Sequence, residues 1–186
     1  GYVTISRAAM TLVFPSRFTL VAAQNPCPCG HFGHDGHSCS CTPSQIHRYR
    51  TKISGPLLDR IDIQIEVPAV PYNELAEARR GESSEAIRKR VIEARKRQEE
   101  RFRDDSIFCN AQMSAREINS HCVLDKECRL FLEEVSGRLK LSARAYHRII
   151  KIARTIADLA PAGDIHMDHL AEAVQYRSFD RNNAVG

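Results

Sequence analysis

Four cysteines near the start of the chain, Cys27, Cys29, Cys39 and Cys41, are spaced as C-x-C, nine residues, then C-x-C. Thiolates are soft donors, and four of them closing a short loop rich in Gly and His can surround one tetrahedral ion, which favours zinc over hard cations. Four sulfurs leave no coordination position for water, so such a metal would be structural rather than catalytic. The C-x-C spacing is tighter than the commoner C-x2-C knuckle, and two other readings stay open. One is a zinc shell in which His31, His34 or His37 replaces a cysteine; the other is a metal-free loop of reduced thiols.

A second group of residues could do chemistry through charge. Residues 79–103 hold ten Arg/Lys against five Glu, while the rest of the chain is near neutral and the whole carries +4. Arg88, Lys89, Arg95 and Lys96 lie in this stripe, which suits nucleic-acid phosphates, an acidic partner, or nothing more than a solvated helix face.

The bulk composition bounds the rest. A length of 186 residues with 42% hydrophobic content allows one domain or two small ones with a core. No apolar run approaches a membrane span, and no signal-peptide pattern opens the chain. Seven cysteines, four of them locally spaced and Cys109, Cys122 and Cys128 scattered through helical segments, fit a reducing cytoplasm better than a disulfide scaffold.

The elements that position these residues follow from periodicity and punctuation. Val3-Thr4-Ile5 and Thr11 to Phe14 read as a hairpin, and the apolar run Phe18 to Ala23 reads as a buried strand that breaks at Asn25-Pro26. Residues 45–52 form a basic stretch, either a helical turn or a surface segment. Pro56 opens a short helix, and Ile61, Ile63, Ile65 and Val67 alternate with polar residues as a half-buried strand ending at Pro68. From Pro68 to Gly81 the chain is connecting material. Ser84 is placed as the cap of a helix to about Arg103, with Ile87, Val91 and Ala94 inward and Glu85–Lys89 and Glu93–Arg97 as surface pairs. Ser114 and Glu117 form a capping box, Asp125 caps a helix that stops near Gly137, Ser142 caps a long amphipathic helix, and Asp164 is placed as the cap of the last.

Taken together, VTISRA, FTLVAAQNPCPCG, the second CxC, SGPLLDRID and LSARAYHRIIKIARTIADL resemble the C-terminal part of the magnesium-chelatase-like AAA+ ATPases, in the ComM/YifB group. The similarity runs from Tyr2 to about Arg181, and extends more distantly to the magnesium-chelatase ATPase subunit and the replicative MCM helicases. It implies a fold of class α/β plus α. Residues 1–70 would be the last part of an αβα core with the cysteine-rich insertion, and residues 71–186 a helical lid.

The resemblance also implies roles. Asn25 matches sensor 1, which orients the water that attacks the ATP γ-phosphate. Arg60 matches the arginine finger, delivered to the nucleotide of a neighbouring subunit, and Arg144 matches sensor 2, a residue that contacts the nucleotide. Arg7 and Arg17 lie in family signatures without an assignable role. The chemistry agrees, since phosphoryl transfer builds charge on the phosphate oxygens, which a rigid guanidinium fork can stabilise from outside.

No G-x-x-x-x-G-K-[ST] occurs in the chain, so ATP and Mg2+ are expected only in a longer parent, and this portion is not expected to hydrolyse ATP alone. The implied parent is a cytoplasmic, hexameric ring that remodels DNA by branch migration. Two alternatives stand beside it: ATP-driven remodelling of a chelatase-like protein partner, and a non-enzymatic, zinc-stabilised nucleic-acid-binding or interaction module.

Overall fold

The computed structural model describes residues 1–33, 37–68, 70 and 81–182, the last five of these by backbone alone. His34 and most of the connecting stretch between Pro68 and Gly81 lie outside the described residues. The chain divides into two compact units, Gly1–Lys52 and Ile53–Gly186.

The first unit opens with a two-stranded antiparallel sheet, β1 (Tyr2–Arg7) and β2 (Met10–Pro15), in which Arg7 pairs with Met10 across a two-residue turn. Thr42 then caps helix α1 (Pro43–Arg50): its hydroxyl accepts from the Gln45 amide while the Gln45 side chain accepts from the Thr42 amide, a reciprocal capping box with proline in the first turn. The basic stretch after Pro43 is therefore a helix.

The expected buried strand from Phe18 to Ala23 does not form. Its backbone pairs with no strand among the described residues, and Phe18, Leu20 and Val21 are 76%, 59% and 89% exposed. A central strand is stable only when neighbours on both sides take its N–H and C=O groups, and the one sheet here is the hairpin. The alternating run from Ile61 to Val67 fails for a related reason. Ile63, Ile65 and Val67 point outward, and the run is tied to the helices by separate bonds, such as that from the Gln64 amide to the Tyr176 carbonyl at 2.9 Å, rather than by a ladder. The αβα core expected for residues 1–70 is thus not present as a layered sheet among the described residues. They form an α-dominated chain with one small sheet and seven helices.

The second unit contains the short α2 (Gly55–Leu58), α3 (Ser84–Arg101), α4 (Ala115–His121), α5 (Lys126–Arg138), α6 (Ala143–Leu159) and α7 (Met167–Asn182), with a 3-10 turn at Asn110–Gln112. α6 is the central helix. Ile149, Ile150, Ala153 and Ala157 form its buried face, and it packs on α3, α4, α7 and the 3-10 turn. Cys122, Cys128, Leu132, Ile165 and Leu170 complete the core, with Cys122 and Cys128 as buried reduced thiols. The Ser114–Glu117 box, the Asp125 cap and the Ser142 cap all form.

Four local expectations are corrected. Ser83, not Ser84, caps α3. Ile87 and Val91 stay 42% and 43% exposed, because the bundle reaches only the C-terminal half of α3, where Ala94 and Gln98 are buried. Glu93 binds Lys96 at 2.8 Å, and Arg97 instead donates to the Asp158 carbonyl. Asp164 does not cap the last helix either; the His166 amide donates to Nδ1 of His169 and its carbonyl accepts from Leu170, so the start is set at His166. Among the described residues no helix is long and apolar enough to cross a membrane.

A polar cluster fixes the helices. The Asp158 carboxylate, fully buried on α6, accepts from Arg101 of α3, from Asn110 at 2.8 Å and from Arg154, one turn earlier, at 3.2 Å. Arg154 also donates to the Ala162 and Gly163 carbonyls, closing the turn after α6. Burial alone would raise the Asp158 pKa. Hydrogen bonds from Arg101 and Asn110 and the charges of Arg101 and Arg154 outweigh it and hold the carboxyl below the ordinary aspartate value.

Removing this carboxylate leaves the buried Arg154 and the partly buried Arg101 guanidinium groups without their counter-charge. Asp158→Ala is expected to destabilise the helical unit by about 3–5 kcal/mol, measured as a lower urea midpoint at unchanged m-value. Because the folded pKa is depressed, the stabilisation is present above the unfolded value of about 3.9 and is lost as pH falls through the folded one. The gap between wild type and variant should therefore narrow in acid.

Candidate functional site

The sequence between Asn25 and Thr42 folds back on itself so that its four cysteine sulfurs meet. Gly30, at φ +84°, turns the chain after Cys29, and its amide donates to the Cys27 carbonyl at 3.1 Å. The sulfurs of Cys27 and Cys29 lie 3.3 Å apart, those of Cys27 and Cys39 3.7 Å, and those of Cys29 and Cys39 3.5 Å. With Cys41, all four lie within 4.8 Å of one another. A tetrahedral ion with metal–sulfur bonds of about 2.3 Å would set sulfurs about 3.8 Å apart, so the cluster has the dimensions of a closed metal shell.

Among the described residues this four-sulfur set is the group that could hold a metal ion. The rings of His31 and His37 lie 5.1 Å apart, tilted by 43°, outside that set. The thiols divide electrostatically. The His31 amide, aimed at Cys29 and outweighing burial, lowers that thiol to about 5. The Cys41 amide favours the Cys39 thiolate, but burial and the hydrogen bonds to Cys29 and Cys27 prevail and push it up to about 12. Cys41 is likewise raised and Cys27 lowered. Four sulfurs this close cannot all ionise without a cation among them.

α1 supports the loop. Arg50 donates to the Pro26 carbonyl at 3.3 Å and lies over the Phe32 ring, 4.9 Å from its centre. Between loop and helix runs a groove of about 440 Å3, lined by Cys29 and Cys41 on one side and Gln45, Arg48, Tyr49 and Lys52 on the other.

Asn25 stands exposed in the first unit, immediately before this loop. Arg60 and Arg144 belong to the second unit. Arg60 follows α2, with its amide donating to the Leu57 carbonyl and its side chain exposed. Arg144 is exposed in the first turn of α6, whose cap Ser142 accepts from the Ala145 amide. The two arginines stand on elements that are physically joined. Arg148, one turn beyond Arg144, donates Nη1 both to the Arg60 carbonyl and to the Asp62 carboxylate, the latter at 2.6 Å. Arg144, His147, Arg148 and Lys151 line a groove of about 380 Å3 against Ser114 and Ile118 of the α4 start. Burial, then the charge of Arg148, lowers the Lys151 pKa. The groove presents cations to whatever enters it.

On α3, Arg88, Lys89, Arg95 and Lys96 are all exposed. Lys89 pairs with Glu85 at 3.1 Å and Lys96 with Glu93, so two of the four charges are answered on the helix itself. The four side chains share one exposed face of the helix.

Sequence reasoning missed Arg148, Arg177 and the Asp158 cluster. A signal existed for two of them: Arg154 and Asp158 sit four apart on the apolar stripe of α6, and Arg177 follows Ala173 and Val174 on the buried face of α7. Charged residues on a buried face need partners, which marks them as structural or functional. For Arg148, half-exposed on the helix, the sequence carries no such mark.

Residues 1–75 match the family described as magnesium chelatase, subunit ChlI, and residues 81–177 match the C-terminal family of the same subunit. The chain is 44% identical over 182 residues to the competence protein ComM of Haemophilus influenzae, and 43% identical over 182 residues to YifB of Salmonella typhimurium, itself uncharacterised. It is 32% identical over 177 residues to an uncharacterised protein of Mycobacterium bovis. These alignments take in 97%, 97% and 95% of this chain but 35% of each relative, so the chain spans about a third of the length of the proteins it matches. The C-terminal match alone covers more than half of the residues, and the chain belongs to the magnesium chelatase ChlI family, alongside ComM and YifB.

Proposed function

We propose that this chain is the nucleotide-sensing, C-terminal portion of a ring-forming AAA+ ATPase that remodels DNA. Residues 1–70 would contribute to the α/β core and residues 71–186 form the lid. The observation that carries the reading is the join between Arg60 and the helix of Arg144: two exposed guanidinium groups, on elements tied by Arg148, stand ready for phosphate oxygens. Asn25 would hold the attacking water by a neutral amide, Arg144 would contact the nucleotide, and Arg60 would reach the nucleotide bound by the next subunit. ATP with Mg2+ supplies the phosphoryl group; the residues here position, orient and compensate charge. The name of ComM, a competence protein, and the basic face of α3 around Arg88, Lys89, Arg95 and Lys96 support DNA as the substrate.

The four cysteines are proposed to hold a structural Zn2+. Their sulfur separations, the absence of disulfides among them and the closed four-sulfur shell support this.

In a full-length protein carrying this chain, ATP hydrolysis is expected to rise with branched DNA. That rise should vanish in Arg60→Ala while ATP binding persists, and DNA affinity should fall steeply with salt. Hydrolysis indifferent to DNA but stimulated by a protein partner would replace the DNA reading with a chelatase-like one. Turnover unaffected by Arg60→Ala would remove the finger.

For the cysteines, metal analysis is expected to find a single zinc ion per chain, released as pH falls because protons compete for the thiolates. Cys27→Ser should weaken retention and speed proteolysis between Pro26 and Thr42. Metal-free protein with an equally protected loop would contradict the zinc.

A further inference from the structure

We propose that Arg148 and Arg177 are positioning residues for Arg60, fixing the backbone that carries it to the helical bundle. The inference rests on the reading of Arg60 as the group that reaches a neighbouring subunit's nucleotide.

The carbonyls of three consecutive residues are taken by guanidinium groups from two helices. Arg177 of α7, its side chain 3% exposed, donates Nη1 to the Ile61 carbonyl at 2.9 Å and Nη2 to the Asp59 carbonyl at 3.5 Å. The same Nη2 lies 3.6 Å from the Asp59 carboxylate. Arg148 of α6 takes the carbonyl between them, that of Arg60, and the Asp62 carboxylate beyond. Two residues further on, the Gln64 amide donates to the Tyr176 carbonyl, adjacent to Arg177.

The backbone is thus held on both sides of Arg60, while the Arg60 side chain is exposed and forms no ion pair among the described residues. A long side chain projected from a fixed backbone can be delivered to one place; from a loose loop its guanidinium would sweep several ångströms. Misplacement of about 1 Å costs a catalytic group up to about a hundredfold in rate. Because the clamp comes from α6 and α7, Arg60 moves with the helices, and Arg148 sits one turn from Arg144. A displacement of the bundle therefore carries both arginines together.

The two clamps differ chemically. Arg177 spans two carbonyls with the two arms of a planar fork, which an ammonium cannot reproduce, whereas Arg148 serves both acceptors from one nitrogen.

The test uses the full-length protein, measuring kcat for ATP, ATP affinity by direct binding, and hydrogen exchange across residues 58–65. Arg148→Gln and Arg177→Gln are expected to lower kcat about ten- to a hundredfold, as Arg60→Ala does, with ATP affinity unchanged. The 58–65 segment should exchange faster while α6 and α7 remain protected. Arg148→Lys should recover most of the turnover and Arg177→Lys little, a contrast that a general loss of folding would not produce. Wild-type kcat in Arg148→Gln beside a disabled Arg60→Ala overturns the positioning role and leaves the finger standing. Loss of ATP affinity together with turnover makes Arg148 a nucleotide contact and overturns it as well. Wild-type kcat in Arg60→Ala removes the finger and the positioning role with it.

Discussion

A carboxylate with no access to water, Asp158, is the constraint around which the helical unit is arranged. Left alone, such a charge would cost several kcal/mol or take up a proton. Arg101, Arg154 and Asn110 keep it ionised, and to do so α3, the 3-10 turn and the loop after α6 must each arrive at one point. Buried charges of this kind tolerate little displacement, since each group is satisfied only in one geometry. α6 is therefore fixed at its C-terminal end by Asp158 and along its length by Ile149, Ile150 and Ala153 against the core.

What α6 holds at its other end follows from that anchoring. Its capped N-terminus presents Arg144, and a turn later Arg148 leaves the helix to bind the Arg60–Asp62 segment. Arg177, from α7, binds the same segment on both sides of Arg60. Apolar packing sets the helices, a buried ion cluster locks their mutual arrangement, and the guanidinium groups of Arg148 and Arg177 tie that arrangement to the segment that carries Arg60. The cysteine loop is a separate solution in the first unit, where a chain with few buried apolar groups is organised by four sulfurs and by Arg50 on Phe32 and Pro26.

Features encoded over a few residues were legible in the sequence. The C-x-C pairs fall on one short loop, and turns at Gly30 and Gly33, both at positive φ, help bring them together. The caps at Ser114, Asp125 and Ser142 are local contacts between side chain and nearby amide, and they form as read. Features that depend on distant partners were not legible. Phe18 to Ala23 has the composition of a buried strand, but burial requires neighbours that a run of residues cannot specify by itself. Gln64, on the polar side of the alternating run, is the residue tied to α7, while Ile63 and Ile65 are exposed. Arg148 and Arg177 find acceptors 86 to 118 positions away, a separation over which pattern carries no information.

The central claim is that Arg60 acts across a subunit boundary, and complementation between two disabled proteins addresses it most directly. One variant carries Arg60→Ala with its nucleotide site intact; the other is disabled in ATP binding by a substitution outside this chain and keeps Arg60. Each alone should hydrolyse ATP at a small fraction of the wild-type rate or less. If Arg60 serves a neighbour's nucleotide, mixed rings should recover activity, because the second variant lends its arginine to the first. A mixture as inactive as its components, with mixed assembly verified, would contradict the account.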